Sequence, residues 1–156
     1  MYNNIFLQVR LNDKLTDKLK ANIGVRQGDN LSPNLFKIFV NDLPYIFDDY
    51  CVPAEIGSTK INCLMYADDV VLLSTSQSGL SRCLNKLEEY CKRWCIQVNL
   101  KKTKIVIFNK GVKMIKSNFY FNGEPVENVR NYKSLGVIFS ASGSFSRVRY
   151  DLYQRG

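Results

Sequence analysis

A chain of 156 residues, of which 46% are hydrophobic, is long enough for one domain with a hydrophobic core but too short for two domains of ordinary size. Its net charge of +8 favours a polyanionic partner, because clustered Lys and Arg attract phosphates, although many basic proteins bind no nucleic acid. The absence of histidine excludes Ser–His and Cys–His catalytic arrangements, and five irregularly spaced cysteines without a CxxC pair argue against structural zinc.

No run of about 18 apolar residues is present, so the sequence predicts no membrane-spanning helix. The first residues also lack the basic start and apolar run of a signal peptide. We therefore expect an intracellular protein, and nothing in the sequence selects the nucleus or the cytoplasm. In a reducing compartment the cysteines are interpreted as small buried hydrophobic residues, and Cys83, Cys91 and Cys95 fall on apolar positions of a helical pattern.

The first half of the chain begins with a short predicted hairpin, in which IFLQVRL is one strand and NDK its turn. Gly24 and Gly28 then mark a loop where the backbone can approach another group closely. Ser32 is the predicted N-cap of a helix with Pro33 at its first position, and Pro44 ends or kinks that helix. The predicted apolar face of this helix consists of Leu35, Phe36, Phe39, Val40 and Leu43.

Two short apolar runs, 61–65 and 70–74, flank Tyr66-Ala67-Asp68-Asp69 and predict a second hairpin. A helix from about Leu80 to Cys95 follows Gly79. Its predicted buried stripe consists of Leu80, Cys83, Leu84, Leu87, Cys91, Trp94 and Cys95.

The remaining segments read as strands. A strand at 96–98 leads to the polar turn NLKKTK and a second strand at 105–108, and Asn122-Gly123 is typical of a hairpin turn. Residues 131–140 form a last strand pair or bend around Gly136. The mixture of hairpins and packed helices indicates an α+β fold.

The adjacent carboxylates of Asp68 and Asp69 are the main chemical signal. They repel each other, and a divalent ion offsets such repulsion, because Mg²⁺ typically takes one or two carboxylates plus substrate phosphates. The simpler alternative is a solvated turn, where Asp is common. Tyr66 adds an aromatic face on which a primer sugar or base could rest.

Four segments resemble, in the correct order, the motifs of one enzyme family. GVRQGDNLSPNLFKIFVNDLP carries Arg-Gln-Gly, Ser-Pro and Leu-Phe in fixed order, and YADDVVLLS resembles the catalytic motif. The helix followed by LKKTKIVIF resembles the next motif, and YKSLGVIFS the primer-gripping one. The family is the reverse transcriptases, and the wording of the first motif, with alanine second in YADD, is similar to non-LTR (LINE-type) retrotransposon enzymes.

The resemblance implies part of a right-hand polymerase palm, in which antiparallel hairpins pack with two main helices. It also implies RNA-directed DNA synthesis by nucleotidyl transfer at two Mg²⁺ ions, with Mn²⁺ as a substitute. The expected substrates are deoxynucleoside triphosphates, and the expected partners are an RNA template and a DNA primer. No membrane partner is expected.

The resemblance assigns roles residue by residue. Asp68 and Asp69 match the catalytic metal-binding pair, and Lys102 matches the lysine that protonates the departing pyrophosphate. The nucleotide- and template-binding set comprises Arg26, Gln27, Gly28, Tyr66 and Ala67, of which Arg26 is the weaker match, and the primer grip comprises Leu135 and Gly136. Two simpler interpretations stay open: Lys102 as a solvated cation in a basic turn, and Leu135-Gly136 as an ordinary β-turn.

The family's front is not matched. Before Gly24 the only aspartates are Asp13 and Asp17, in a polar turn-like setting that does not resemble the strand bearing a third catalytic aspartate. We therefore expect a truncated palm at 1–140, with its motifs at about 23–140, and a truncated thumb start or disordered tail at 141–156. We expect the isolated chain to be inactive, and its exposed sheet edge to favour association with another chain.

Two other function classes stand beside the polymerase. An interaction module would depend only on the exposed sheet edge. A non-catalytic nucleic-acid-binding remnant of a retrotransposon would use Lys101, Lys102, Lys104, Lys110, Lys113 and Lys116.

Overall fold

The computed structural model describes residues 5–21, 24–26, 28–47, 50–109 and 117–144. These residues form small, mostly antiparallel sheets and two α-helices, in agreement with the predicted α+β class. The chain divides into two compact units, the first comprising Met1–Leu43 with Met65–Val70, and the second Pro44–Leu64 with Val71–Gly156. Neither helix in the described part of the chain is long and apolar enough to cross a membrane.

The helices are α1 (Ser32–Phe39) and α2 (Gln77–Trp94), and a 3-10 helix spans Leu43–Phe47. The strands are β1 (Ile5–Leu7), β2 (Arg10–Leu11), β3 (Lys14–Leu15), β4 (Leu19–Ala21), β5 (Ala54–Ile56), β6 (Thr59–Ile61), β7 (Cys63–Tyr66), β8 (Asp69–Leu72), β9 (Lys104–Ile105), β10 (Phe119–Phe121), β11 (Glu124–Asn128), β12 (Asn131–Ser134) and β13 (Val137–Ser140).

The first unit begins with an antiparallel ribbon that confirms the predicted hairpin. β1 pairs with β4 and β2 with β3, so that Leu7 faces Leu19 and Arg10 faces Leu15. These two registers differ by one residue, which places an extra residue on the returning strand. The Thr16 N–H donates to the Val9 carbonyl at 3.0 Å and joins the two halves of the ribbon.

The start of α1 differs from the prediction. Ser32 is the first helical residue rather than the N-cap, and its buried hydroxyl donates to the Arg26 carbonyl at 2.5 Å. The Asp29 carboxylate instead accepts the Leu31 N–H at 3.0 Å. The helix also ends at Phe39, well before Pro44, which lies in the 3-10 helix.

The predicted apolar face of α1 is only partly buried. Val40 and Leu43 are buried, Leu35 and Phe36 are half-buried, and Phe39 is exposed. The two buried residues thus lie beyond the end of the helix, and its own apolar residues are half-buried or exposed.

Helix α2 begins at Gln77, three residues before the predicted start at Leu80. Ser76 is the N-cap, and its hydroxyl oxygen accepts the Gly79 N–H at 3.0 Å. A side chain at Gly79 would meet both the Ser74 and Ser76 hydroxyls, so glycine serves close packing there. Of the predicted stripe, Cys83, Leu84 and Cys91 are buried, Leu80 and Leu87 are half-buried, and Trp94 and Cys95 are exposed.

The core of the second unit lies between α2 and the three-stranded sheet β10-β11-β9. Phe119 and Phe121 alternate with exposed Tyr120, which places both phenylalanines on the face toward Leu84 and Cys91 of the helix. The Asn122-Gly123 hairpin is confirmed. The predicted strand at 96–98 is wrong, and the strand predicted at 105–108 is reduced to β9, which pairs in parallel with β11.

The cysteines differ partly from the interpretation as isolated buried hydrophobic residues. Cys51 and Cys83 are buried with their sulfur atoms in contact and their Cα atoms 5.6 Å apart. Cys91 is buried as a free thiol, as predicted. Cys95 is exposed because it is the left-handed C-cap of α2, which turns its side chain off the helix stripe.

Candidate functional site

The YADD residues form a tight hairpin between β7 and β8, as predicted. Tyr66 ends β7, Ala67 and Asp68 form the two-residue turn, and Asp69 begins β8. Ala67 has a φ of 52°, which is left-handed backbone that a two-residue turn of this kind normally gives to glycine. All four residues are exposed. The turn therefore holds two adjacent carboxylates in solvent on a backbone that carries local strain.

The metal-binding capacity of this hairpin rests on oxygen donors alone. Asp68 and Asp69 fit a Mg²⁺ ion that takes two carboxylates and completes its shell with water and phosphate oxygens. In the part of the chain that the structure describes, no three His, Cys, Asp or Glu residues cluster to hold a metal by themselves.

The loop before α1 belongs to the same unit as the hairpin tip. The Arg26 carbonyl accepts from the Ser32 hydroxyl and from the Asp29 N–H, so the loop folds back onto the start of the helix. Gly28 has a φ of 85° with open space around its Cα, and glycine is required there by the backbone rather than by packing. Gln27, also predicted to contact the nucleotide, lies outside the described residues.

Lys102 lies in an ordered turn of the second unit. The Asn99 carbonyl accepts the N–H groups of Lys102 and Thr103, both at 3.0 Å, which confirms the predicted polar turn. On the other side, the Tyr132 hydroxyl donates to the Lys102 carbonyl at 3.3 Å. The backbone of Lys102 is thereby held by two segments, while its side chain is exposed.

Leu135 and Gly136 form the turn of the β12–β13 hairpin. Both have positive φ, 49° and 82°, as a type I′ turn requires. Asn or Gly is the usual residue at the first position, and the β10–β11 turn of this chain has Asn122 there. A leucine that is 61% exposed gains no burial in return for this backbone. Leucine is thus not the residue that a type I′ turn favours at this position.

The structure thus brings the predicted residues into two groups. Arg26, Gly28 and the YADD tip belong to the first unit. Lys102, Leu135 and Gly136 belong to the second, where Tyr132 connects the Lys102 turn to the β12–β13 hairpin.

The sequence analysis missed three residues that hold the backbone of α1 or of the Lys102 turn in place. They are Asp29 at the start of α1, Asn99 and Tyr132. An Asp or Asn two or three residues before a turn N–H is a signal that could have identified the first two. Nothing local marks Tyr132, since its partner lies 30 residues away.

Comparison with known proteins identifies one family. The profile described as reverse transcriptase (RNA-dependent DNA polymerase) matches residues 1–139. The RNA-directed DNA polymerase from mobile element jockey of Drosophila melanogaster is 27% identical over 153 residues, covering 91% of this chain and 16% of that protein. The Retrovirus-related Pol polyprotein from type-1 retrotransposable element R2 of Popillia japonica is 26% identical over 155 residues, covering 94% and 26%.

A third relative agrees with these two. The Retrovirus-related Pol polyprotein from type-2 retrotransposable element R2DM of Drosophila melanogaster is 28% identical over 138 residues, covering 81% of this chain and 12% of that protein. The chain therefore spans between 12% and 26% of the length of these three relatives.

Proposed function

This chain belongs to the reverse transcriptase family, with relatives among non-LTR retrotransposon polymerases, and we propose that it contributes the catalytic hairpin of an RNA-directed DNA polymerase. The observation that carries the proposal is the strained Ala67 turn, which presents Asp68 and Asp69 in solvent. Strained, exposed backbone beside paired carboxylates is characteristic of functional sites. In this proposal the chain is part of a right-hand polymerase palm.

The proposed reaction joins a deoxynucleoside triphosphate to a DNA primer on an RNA template. The primer 3′-hydroxyl oxygen bonds to the α-phosphorus, and the bond from that phosphorus to the bridging oxygen breaks. Pyrophosphate leaves, and the hydroxyl proton passes to solvent. Asp68 and Asp69 would hold two Mg²⁺ ions, or Mn²⁺, which supply charge stabilisation for the attacking and leaving oxygens.

The other residues of this chain bind and move a proton. Lys102 carries an ammonium that can donate a proton to the departing pyrophosphate oxygen, and such general acid catalysis accelerates departure of the leaving group. Arg26, Gln27 and Gly28 would contact the incoming nucleotide and the template base, with Tyr66 and Ala67 beside them. The exposed Leu135-Gly136 turn would lie against the primer strand, where glycine permits close backbone approach.

Primer extension tests the proposal directly. The purified chain is incubated with poly(rA), an oligo(dT) primer, dTTP and Mg²⁺, and compared with Asp68→Asn. Asp13→Asn is a matched control, since Asp13 occupies the same second position of an exposed two-residue hairpin turn. Because the third catalytic aspartate is not matched in this chain, we expect extension only where another chain supplies it, with Asp68→Asn abolishing that extension and Asp13→Asn preserving it. Extension that Asp68→Asn leaves unchanged would overturn the proposed role of the hairpin, and extension by the isolated wild-type chain would overturn its expected inactivity.

Metal binding provides a second test, which does not depend on catalytic activity. Mn²⁺ is paramagnetic and broadens the NMR signals of nearby amides. We expect broadening centred on Ala67, Asp68 and Asp69, with loss in the Asp68→Asn/Asp69→Asn double variant. Uniform broadening at every exposed carboxylate would contradict a specific site at the hairpin.

A second candidate function is nucleic-acid binding without catalysis. The exposed side chains of Lys101 and Lys102 in one ordered turn favour it. Lys104 is less suited, because its ammonium pairs with Glu127 at 2.6 Å. Lys110, Lys113 and Lys116 lie outside the described residues. The test is salt-sensitive binding to RNA or DNA that survives Asp68→Asn/Asp69→Asn and weakens in Lys101→Ala/Lys102→Ala.

A further inference from the structure

The backbone of Lys102 is held by hydrogen bonds at both its N–H group and its carbonyl group. On the N–H side, the Asn99 carbonyl accepts at 3.0 Å and the Asn99 side-chain oxygen lies 3.3 Å from the same N–H. The Thr103 hydroxyl also donates to the Asn99 carbonyl at 3.0 Å. On the carbonyl side, the Tyr132 hydroxyl is the donor. The position of the Lys102 Cα is therefore set by Asn99 within the turn and by Tyr132 from outside it.

The charge on this fixed backbone has no acidic partner among the described residues. The neighbouring Lys104 shows the contrast, since its ammonium meets the Glu127 carboxylate. The three salt bridges between described residues leave out Lys102. Lys102 therefore differs from an ordinary solvated lysine. Its backbone is fixed by hydrogen bonds, while its ammonium group can bind a phosphate.

Tyr132 also belongs to the hairpin that carries the Leu135-Gly136 turn. It lies on β12, pairs in register with Phe139 of β13 and is half-buried. Only Lys133 and Ser134, both paired with β13, lie between it and Leu135, so a displacement of the hairpin would be transmitted to the Lys102 carbonyl. The Tyr132 hydroxyl links two segments that are 30 residues apart in the sequence.

We propose that Tyr132 is a positioning residue, whose hydroxyl sets Lys102 relative to the primer-contact turn. This inference rests on the proposed function, since it assumes that Lys102 meets the departing pyrophosphate. Tyr132 itself touches no substrate in this scheme. Its effect should therefore pass entirely through Lys102.

Tyr132→Phe removes the hydroxyl and keeps the ring, so the fold is retained. In single-nucleotide incorporation with the third aspartate supplied by another chain, we expect the maximal rate to fall about three- to tenfold, as for loss of one hydrogen bond, with the apparent KM for the nucleotide unchanged. Lys102→Ala should lower it further, by about a hundredfold or more for a lost general acid. The double variant should equal Lys102→Ala alone, because residues acting through one group are not additive.

A pyrophosphate titration separates this inference from the proposed function. The probe is inorganic pyrophosphate added to the ¹⁵N-labelled chain, with the amide shifts of Lys102 and Thr103 as the readout. Wild-type protein should show saturable shifts, Tyr132→Phe an affinity about threefold or more weaker, and Lys102→Ala none. Tyr120→Phe, which removes an exposed hydroxyl from another hairpin, is the control and should match wild type.

The outcomes are distinct. If extension does not depend on Asp68 but pyrophosphate binding depends on Tyr132, the proposed catalysis fails and the positioning role stands. If Tyr132→Phe matches wild type in the titration, the positioning role is overturned whatever the extension assay gives. A loss of binding in Tyr132→Phe that equals a loss in Tyr120→Phe would also overturn it.

Discussion

Glu88 on α2 accepts a hydrogen bond from the backbone N–H of Asn122 at 2.8 Å. Its second carboxylate oxygen lies 2.5 Å from the Lys92 ammonium, one helical turn away. One side chain thus ties the long helix to the β10–β11 turn. The Lys92 ammonium and the Asn122 N–H both favour the charged carboxylate and hold the pKa of Glu88 below its ordinary value of 4.5.

Glu88→Gln should reveal this contact as a pH-dependent loss of stability. Because the folded-state pKa is lowered, the contribution of Glu88 is present above about pH 4.5 and is lost as the pH falls through the folded value. We expect a lower thermal midpoint than wild type at pH 7, and converging midpoints in acid. Glu124→Gln, at an exposed carboxylate directly after the same turn, is the control and should leave the thermal midpoint at pH 7 unchanged. A constant difference at all pH values would contradict the linkage.

Phe121→Ala should be among the most destabilising substitutions in the second unit. The ring is 2% exposed and packs in the cluster with Leu84 and Cys91. Removal of a buried phenylalanine typically costs about 3–5 kcal/mol. Its neighbour Tyr120 is 54% exposed on the opposite face of the strand, so Tyr120→Ala should cost far less. Urea unfolding of the two variants measures the difference, and equal midpoints would argue against the described core.

The sequence predicted those elements whose signals are local. The Asn122-Gly123 turn and the YADD hairpin each follow from neighbouring residues. The start of α1 did not, because Ser32 has a buried partner in the Arg26 carbonyl that competes with capping. The strand predicted at 96–98 failed for a related reason: a short apolar run becomes a strand only where another strand pairs with it.

The candidate site likewise contains residues that local sequence signals predicted and residues that depend on non-local contacts. The motif residues were found from their order along the chain, whereas the left-handed backbone at Ala67 and Leu135 is seen only in the structure. Tyr132 could not be found in this way, since its hydrogen bond to Lys102 exists only after β12 has folded beside the Asn99–Thr103 turn. Non-local contacts of this kind depend on tertiary packing, which one sequence does not encode in any short window.

The free cysteines should differ strongly in reactivity. Burial raises the pKa of the Cys63 thiol to about 11, and burial also raises the pKa of the Cys91 thiol. At pH 8 a thiol with a pKa near 11 is about 0.1% thiolate, and the thiolate is the reactive form. Cys95 is exposed at the end of α2. Iodoacetamide labelling followed by mass spectrometry should therefore modify Cys95 first, and prior labelling of Cys91 would contradict its burial.

The turn at Leu135 provides a direct test of stability against function. Leu135→Asn supplies the residue that type I′ turns favour before glycine, and relief of the left-handed leucine should stabilise the fold by about 1 kcal/mol. The reciprocal Asn122→Leu, at the same position of the β10–β11 turn, should destabilise by a similar amount and serves as the control. In the primer extension assay, Leu135→Asn should nevertheless lower the yield, because the exposed leucine is the proposed primer contact. A variant that is both more stable and fully active would show that Leu135-Gly136 is an ordinary turn and would remove it from the site.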